Sequence, residues 1–158
     1  MENIKIGDVV AYRSNSIVSE AIRAITSSKY SHVAIVVSPT QLVEADGYVG
    51  HIRYRNISDY KGGMDIYTCN FLTESQRKEI CDYAISRIGQ KYDYLLLFFL
   101  FLKQIFKFKF RFIDSKADIC SELVNDSYSK ANCRLVKKRY PNPQDIVSSD
   151  KLIFVESC

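Results

Sequence analysis

Several things that would place a chain quickly are scarce here. Five cysteines are an odd number, and no two are spaced as CxxC. That excludes a disulfide-framed miniprotein and a structural zinc ribbon. There are only two histidines, and neither has a Cys, His, Asp or Glu at convincing metal-ligand spacing, so neither a metal nor another cofactor is expected. Six glycines and three prolines leave no room for a linker, and no repeat or low-complexity tract interrupts the 158 residues. One domain over residues 1–158 is the expectation. The start, MENIKIGDVVAY, lacks the charged and then apolar pattern of a secretory signal. The longest apolar run is YLLLFFLFL at 94–102. As a helix it would span about 13.5 Å, short of a bilayer core of roughly 30 Å, so it reads as a buried helix. With no signal and no obvious cystine framework, a reducing, cytoplasmic setting is expected.

What is present is ordinary in amount and uneven in placement. Apolar residues make up 47% and charged residues 25%, enough for a self-sufficient core. The net charge of +4 comes from 22 basic and 18 acidic residues. The excess sits on two acid-free stretches: Lys103, Lys107, Lys109 and Arg111, then Lys130, Arg134, Lys137, Lys138 and Arg139. The first contains FKFKFRF, the alternation of a half-buried strand, and no nucleic-acid partner is expected from it. An apolar helix followed by a basic arm would also allow weak contact with an anionic membrane surface.

Periodicity predicts the elements. Gly7-Asp8 turns into a strand at Val9–Tyr12, and Ser16 caps a helix to about Thr26. HVAIVV (32–37) is a buried strand, paired through a Pro39-Thr40 turn with Leu42–Ala45. Strands at Val49–Tyr54 and Met64–Tyr67 follow. Thr73 and Gln76 form a capping box opening a helix that stops by Gly89, with Ile80, Cys81, Ala84, Ile85 and Ile88 inward. A helix capped by Asp118 turns Cys120, Leu123, Val124 and Tyr128 inward. Pro141 and Pro143 break the chain before a last strand at Lys151–Val155. Hairpin-linked strands between helices indicate α+β with a mainly antiparallel sheet or partial barrel flanked by helices.

Among reactive residues, Cys120 has the most suggestive place. In the first turn of a helix, unpaired N–H groups and the positive helix end favour a thiolate and could stabilise an oxyanion. His32 opens a strand and could act as its base; Glu44, on the hairpin partner, could orient the imidazole. Spacing alone leaves the plain alternatives open: a buried structural Cys, a hydrogen-bonded strand-start His and a strand-end surface Glu.

A resemblance bears on that choice. GDVVAY (7–12), SKYSHVAIVV (28–37), LVEADGYVG (42–50), GQKYDY (89–94) and DICSELVNDSY (118–128), closed by PQDIVSSDKLIFV (143–155), follow one another in an order that resembles the circularly permuted NlpC-type papain-like cysteine peptidases and amidases. That group is related to the lecithin:retinol acyltransferase-like enzymes. The likeness runs over about residues 6–155. It implies a papain-like fold in permuted order, with Cys120 as nucleophile, His32 as base and Glu44 as the orienting residue. It puts Tyr92 and Asp93, from the GxxYD text, near the cleft, and Tyr30 and Tyr12 are further candidates for contact with substrate. The implied activity is hydrolysis of an amide or peptide bond, in a cell-wall peptide or small peptide conjugate, through a thioester. The alternatives are a lipid ester or amide hydrolase or acyltransferase acting on an acyl lipid, and a binding module that keeps the fold without turnover.

Overall fold

Short apolar runs alternating in period two dictate a sheet with both faces covered. The computed structural model describes residues 4–13, 19–20, 23–24, 27–46, 49–60, 63–91 and 120–158. Six strands, β1 (Val9–Tyr12), β2 (His32–Ser38), β3 (Gln41–Asp46), β4 (His51–Asn56), β5 (Met64–Thr68) and β6 (Ile153–Ser157), form one sheet in the order β4-β3-β2-β1-β5-β6. Every neighbouring pair is antiparallel. Among the described residues, helices with defined bounds are α1 (Glu74–Ser86), α2 (Cys120–Lys130) and the short α3 (Pro143–Val147), with a 3-10 turn at Ile57–Asp59. The architecture is α+β.

Because successive side chains in a strand point to opposite faces, the central strands feed two cores. Val9, Val33, Ile35 and Val43 pack under Ile80 and Ala84 of α1 and Leu123, Val124 and Tyr128 of α2. Val10, Ala34, Val36, Leu42 and Ile66 pack on the other face against Ile57 and Tyr60. The same parity puts His32 and Glu44 on the face of Ala34 and Leu42, whereas α2 lies across the opposite face. His32 is the first residue of β2. Its ring therefore sits at the end of the sheet, where the N-terminus of α2 can meet it.

Two anchors hold α2 in place. Tyr128 is fully buried and its hydroxyl donates to the Gly7 carbonyl at 2.5 Å. Asn125 exchanges two hydrogen bonds with the Val136 backbone at 3.0 and 3.1 Å, fastening the chain that follows the helix. Gly7 itself has φ +79°, a left-handed conformation that any other residue would adopt only with strain.

The expected elements are found with shifted ends. β4 starts at His51 rather than Val49, and β6 runs Ile153–Ser157 rather than Lys151–Val155. The Thr73–Gln76 capping box is present in both directions. On α1, Ile80, Cys81 and Ala84 are buried as the period predicts, but Ile85 is exposed at the edge of the buried stripe. Arg77 is buried instead. Its guanidinium donates to Asp8 at 2.8 Å, to the carbonyls of Ile6 and Cys69, and to the Thr68 hydroxyl. Asp8 is thus a fully buried ion-pair partner, not only a turn residue. Pro143 does not merely break the chain: it occupies the first turn of α3 behind the Asn142 cap, where a missing N–H costs nothing. Of the helix expected at 16–26, Ser19, Glu20, Arg23 and Ala24 are described and helical. The helix expected at 94–102, the strand at 106–112 and the Asp118 cap lie outside the described residues. Among the described residues no helix is long and apolar enough to cross a membrane.

Candidate active site

His32 and Glu44 come from neighbouring strands and Cys120 from the first residue of α2. His32 Nε2 lies 2.8 Å from Glu44 Oε2. This leaves Nδ1 as the ring nitrogen for Cys120, whose thiol is within hydrogen-bonding reach of the imidazole. The Ser121 hydroxyl stands 3.8 Å from the thiol. Cys120 is 7% exposed and Glu44 is 1% exposed, so this chemistry is largely shielded from water.

Electrostatics favour the charged form of all three groups. Burial works against charge on His32, but hydrogen bonds to Cys120 and Glu44, and their charges, outweigh it and raise the ring from 6.5 to about 10. Burial alone would push the Cys120 thiol up. The His32 hydrogen bond and cation, the Val33 N–H and the Ser121 hydroxyl together hold it below the ordinary thiol value. Burial likewise opposes the Glu44 carboxylate, yet His32, Tyr60 and Arg55 lower it to about 2. At neutral pH the ring is an imidazolium and Glu44 a carboxylate, and both His32 contacts shift Cys120 toward the thiolate. The first turn of α2 adds the positive end of the helix dipole.

Around Glu44 the fold assembles residues that the spacing of the sequence does not bring forward. Tyr60 donates its hydroxyl to Oε2, the oxygen that also meets His32. Arg55 donates to Oε1 at 3.3 Å and lies over the Tyr60 ring at 4.7 Å. Arg53 pairs with Asp46 at 2.5 Å. The β3–β4 register explains the cluster: Arg53 stands opposite Glu44 and Arg55 opposite Leu42, so both guanidiniums project on the face that carries the carboxylates. Burial and the adjacent Glu44 keep the Tyr60 hydroxyl protonated well above its usual range, so it acts as a permanent donor. The period of β4 was the one available signal for Arg53 and Arg55. Tyr60, beyond a 3-10 turn, gave none.

The other expected site residues fare differently. Tyr12 is half-buried; its ring meets Tyr60 edge-on at 4.5 Å, so it adjoins the site through that residue. Tyr30 is not in a cleft. It is 1% exposed, and its hydroxyl donates to Asp65 at 2.5 Å and lies 2.7 Å from that of Tyr67. Arg13, Lys29 and Ser157 complete the shell around Asp65, and this network braces the β5 side of the sheet. Tyr92 and Asp93 lie outside the described residues. In the second basic stretch, Lys138 pairs with Asp145 and Lys130 lies over the Tyr83 ring, so part of that charge is already engaged.

The donor set does not suit a metal centre. Among the described residues no three His, Cys, Asp or Glu side chains converge as ligands. His32 Nε2 is taken by Glu44, and Glu44 is taken by a tyrosine and an arginine.

No protein-family model matches the chain. No curated protein matches it either. Among solved structures it is similar to the metalloprotein yiiX from Escherichia coli O157:H7, described as DUF1105, with a TM-score of 0.72 at 19% identity over 97% of each chain. At that identity the likeness is one of fold: the α+β arrangement is shared along nearly the whole length of both proteins.

Proposed function

We propose that the protein is a cysteine hydrolase of the permuted NlpC-type papain-like group, cleaving an amide or peptide bond. The observation that carries this reading is the linkage of Cys120 to His32 and of His32 to Glu44 at 2.8 Å, at the start of a helix. A buried structural cysteine needs no imidazole, and desolvation would leave it a thiol; Cys81, which donates to the Val36 carbonyl, is pushed up to about 11 in that way.

Each residue has a role. The Cys120 thiolate attacks the carbonyl carbon, and a C–S bond forms as the carbonyl π electrons move to oxygen. The N–H of Cys120 at the helix start is a donor available to that oxyanion. Collapse breaks the bond to the leaving nitrogen, which takes the proton from His32 Nδ1, leaving a thioester on Cys120. The neutral ring then removes a proton from water, whose oxygen attacks the thioester and releases the acid and the thiolate. Glu44 keeps the ring oriented and stabilises its cation without exchanging a proton. Tyr60 and Arg55 hold the carboxylate in turn.

The acyl-lipid alternative rests on the apolar run 94–102, which lies outside the described residues, so substrates must separate the two. A panel of peptide amides, muropeptide-like peptides and short acyl esters, assayed with the wild type and Cys120→Ala, tests the reading. We expect turnover that Cys120→Ala abolishes. Full hydrolysis by Cys120→Ala on any substrate of the wild type would defeat the proposal.

A further inference from the structure

Two cysteines outside the site face each other. Cys69, just after β5, and Cys133, just after α2, have their sulfurs 4.0 Å apart. Both are buried in the core beneath α1 and α2. Neither has a part in the proposed hydrolysis. From this contact the sulfurs must close by about 2 Å to reach bonding distance, roughly 2.05 Å. The backbones on both sides are already held by the same helix: Arg77 donates to the Cys69 carbonyl at 2.7 Å, and Gln76 donates to the Ala131 carbonyl at 3.0 Å. The turn between α2 and Cys133 is fixed by Asn132 in the left-handed region at φ +56° and by the Cys133 N–H donating to the Tyr128 carbonyl at 2.9 Å.

We propose that Cys69 and Cys133 form an intramolecular disulfide when the protein meets a small oxidant, stapling the C-terminal end of the Cys120 helix to the sheet. With a low-molecular-weight disulfide as oxidant, the Cys133 thiolate displaces one thiolate of the reagent and forms a mixed disulfide. The Cys69 thiolate then attacks the Cys133 sulfur and expels the second. Two protein thiols lose two protons and two electrons, and the reagent leaves as two thiols. Burial and the neighbouring Cys133 raise the Cys69 thiol to about 11, so the second step is slow at neutral pH and quickens with alkalinity. The bond closes a loop of 64 residues, the sequence separation of the pair. A cross-link of that span should raise the melting temperature by about 10 °C in a chain of this size.

The test uses the full chain, purified under reduction and then exposed to diamide or oxidised glutathione. Remaining thiols are blocked in denaturant, and the protein is mapped without reduction. The expected result is a linked peptide pair containing Cys69 and Cys133 in the monomeric fraction, with a rise in melting temperature that a reductant reverses. Cys133→Ala should lose both effects, and Cys81→Ala, which leaves the pair intact, should keep both. The proposal is overturned if oxidation consumes Cys120 and the exposed Cys158 while Cys69 and Cys133 remain blockable as thiols. It is also overturned if the linked protein melts no higher than the reduced one. Because hydrolysis is not the readout, neither result depends on the proposed activity.

Discussion

Replacing His32 with alanine should convert Cys120 from a thiolate into an ordinary buried thiol, and the pH dependence of its alkylation makes that visible. In the wild type the imidazolium persists up to about pH 10, and its bond and charge hold the thiol below its ordinary value. In His32→Ala the ring is gone and burial remains, which pushes the thiol up. An unperturbed thiol with a pKa of about 8.5 is roughly 0.3% ionised at pH 6 and about 24% at pH 8, a rise of roughly 80-fold. A buried one rises by close to 100-fold over the same interval. The rate of Cys120 modification by iodoacetamide, followed by peptide mapping to separate it from the exposed Cys158, should therefore climb much less steeply between pH 6 and 8 in the wild type. In His32→Ala it should climb by the full amount. The absolute rate at pH 6 is a weaker discriminator, because a stabilised thiolate is also a poorer nucleophile. A wild-type profile that climbs in parallel with His32→Ala would refute the ion-pair reasoning, whatever the absolute rates.

Three other outcomes follow from the same geometry. Tyr60→Phe keeps the ring beneath Arg55 and beside Tyr12 but removes one donor to a buried charge, so urea denaturation should show a loss of about 1.5–3 kcal/mol; the alkylation profile should match the wild type because Glu44 still meets His32. Glu44 is lowered from 4.5 to about 2 in the folded protein, so it favours the fold above its unfolded value, and that contribution is lost as pH falls through about 2. Glu44→Gln should therefore flatten the acid side of the stability curve between about pH 5 and 2, measured by circular dichroism. Arg77→Leu strips the partner from the fully buried Asp8 and should cost about 3–5 kcal/mol by the same denaturation assay, whereas replacing Asp8 and Arg77 together by apolar residues should cost less.

The parts of this fold that were legible in the sequence are those fixed by local pattern. Val9–Tyr12 and HVAIVV are β-branched and apolar, and Thr73 with Gln76 announces its helix by a capping box that closes in both directions. The residues of the candidate triad were picked out by local position and by resemblance, and the fold brings all three to one end of the sheet. What was not legible depends on long-range register. Arg53 and Arg55 join Glu44 because β4 pairs with β3 in one register; a shift by one residue would send both guanidiniums to the other face. Arg77 sits on the inward stripe of α1, where a helical period expects an apolar side chain, and only the fold reveals Asp8 waiting beneath it. Tyr30 stands two residues before His32, outside β2, where strand alternation does not set its direction, and it turns into the Asp65 network. Asn142 and Asp145 do carry a capping signal for α3, which two prolines obscured.

The central claim is that Cys120 becomes covalently acylated during turnover. Rapid mixing with a substrate found in the panel, acid quenching and intact-mass measurement test it directly. The account predicts a wild-type adduct equal in mass to the acyl portion of the substrate, mapped to Cys120 and sensitive to hydroxylamine, with none in Cys120→Ala. Turnover that proceeds with no adduct on Cys120, and that continues in Cys120→Ala, would contradict it.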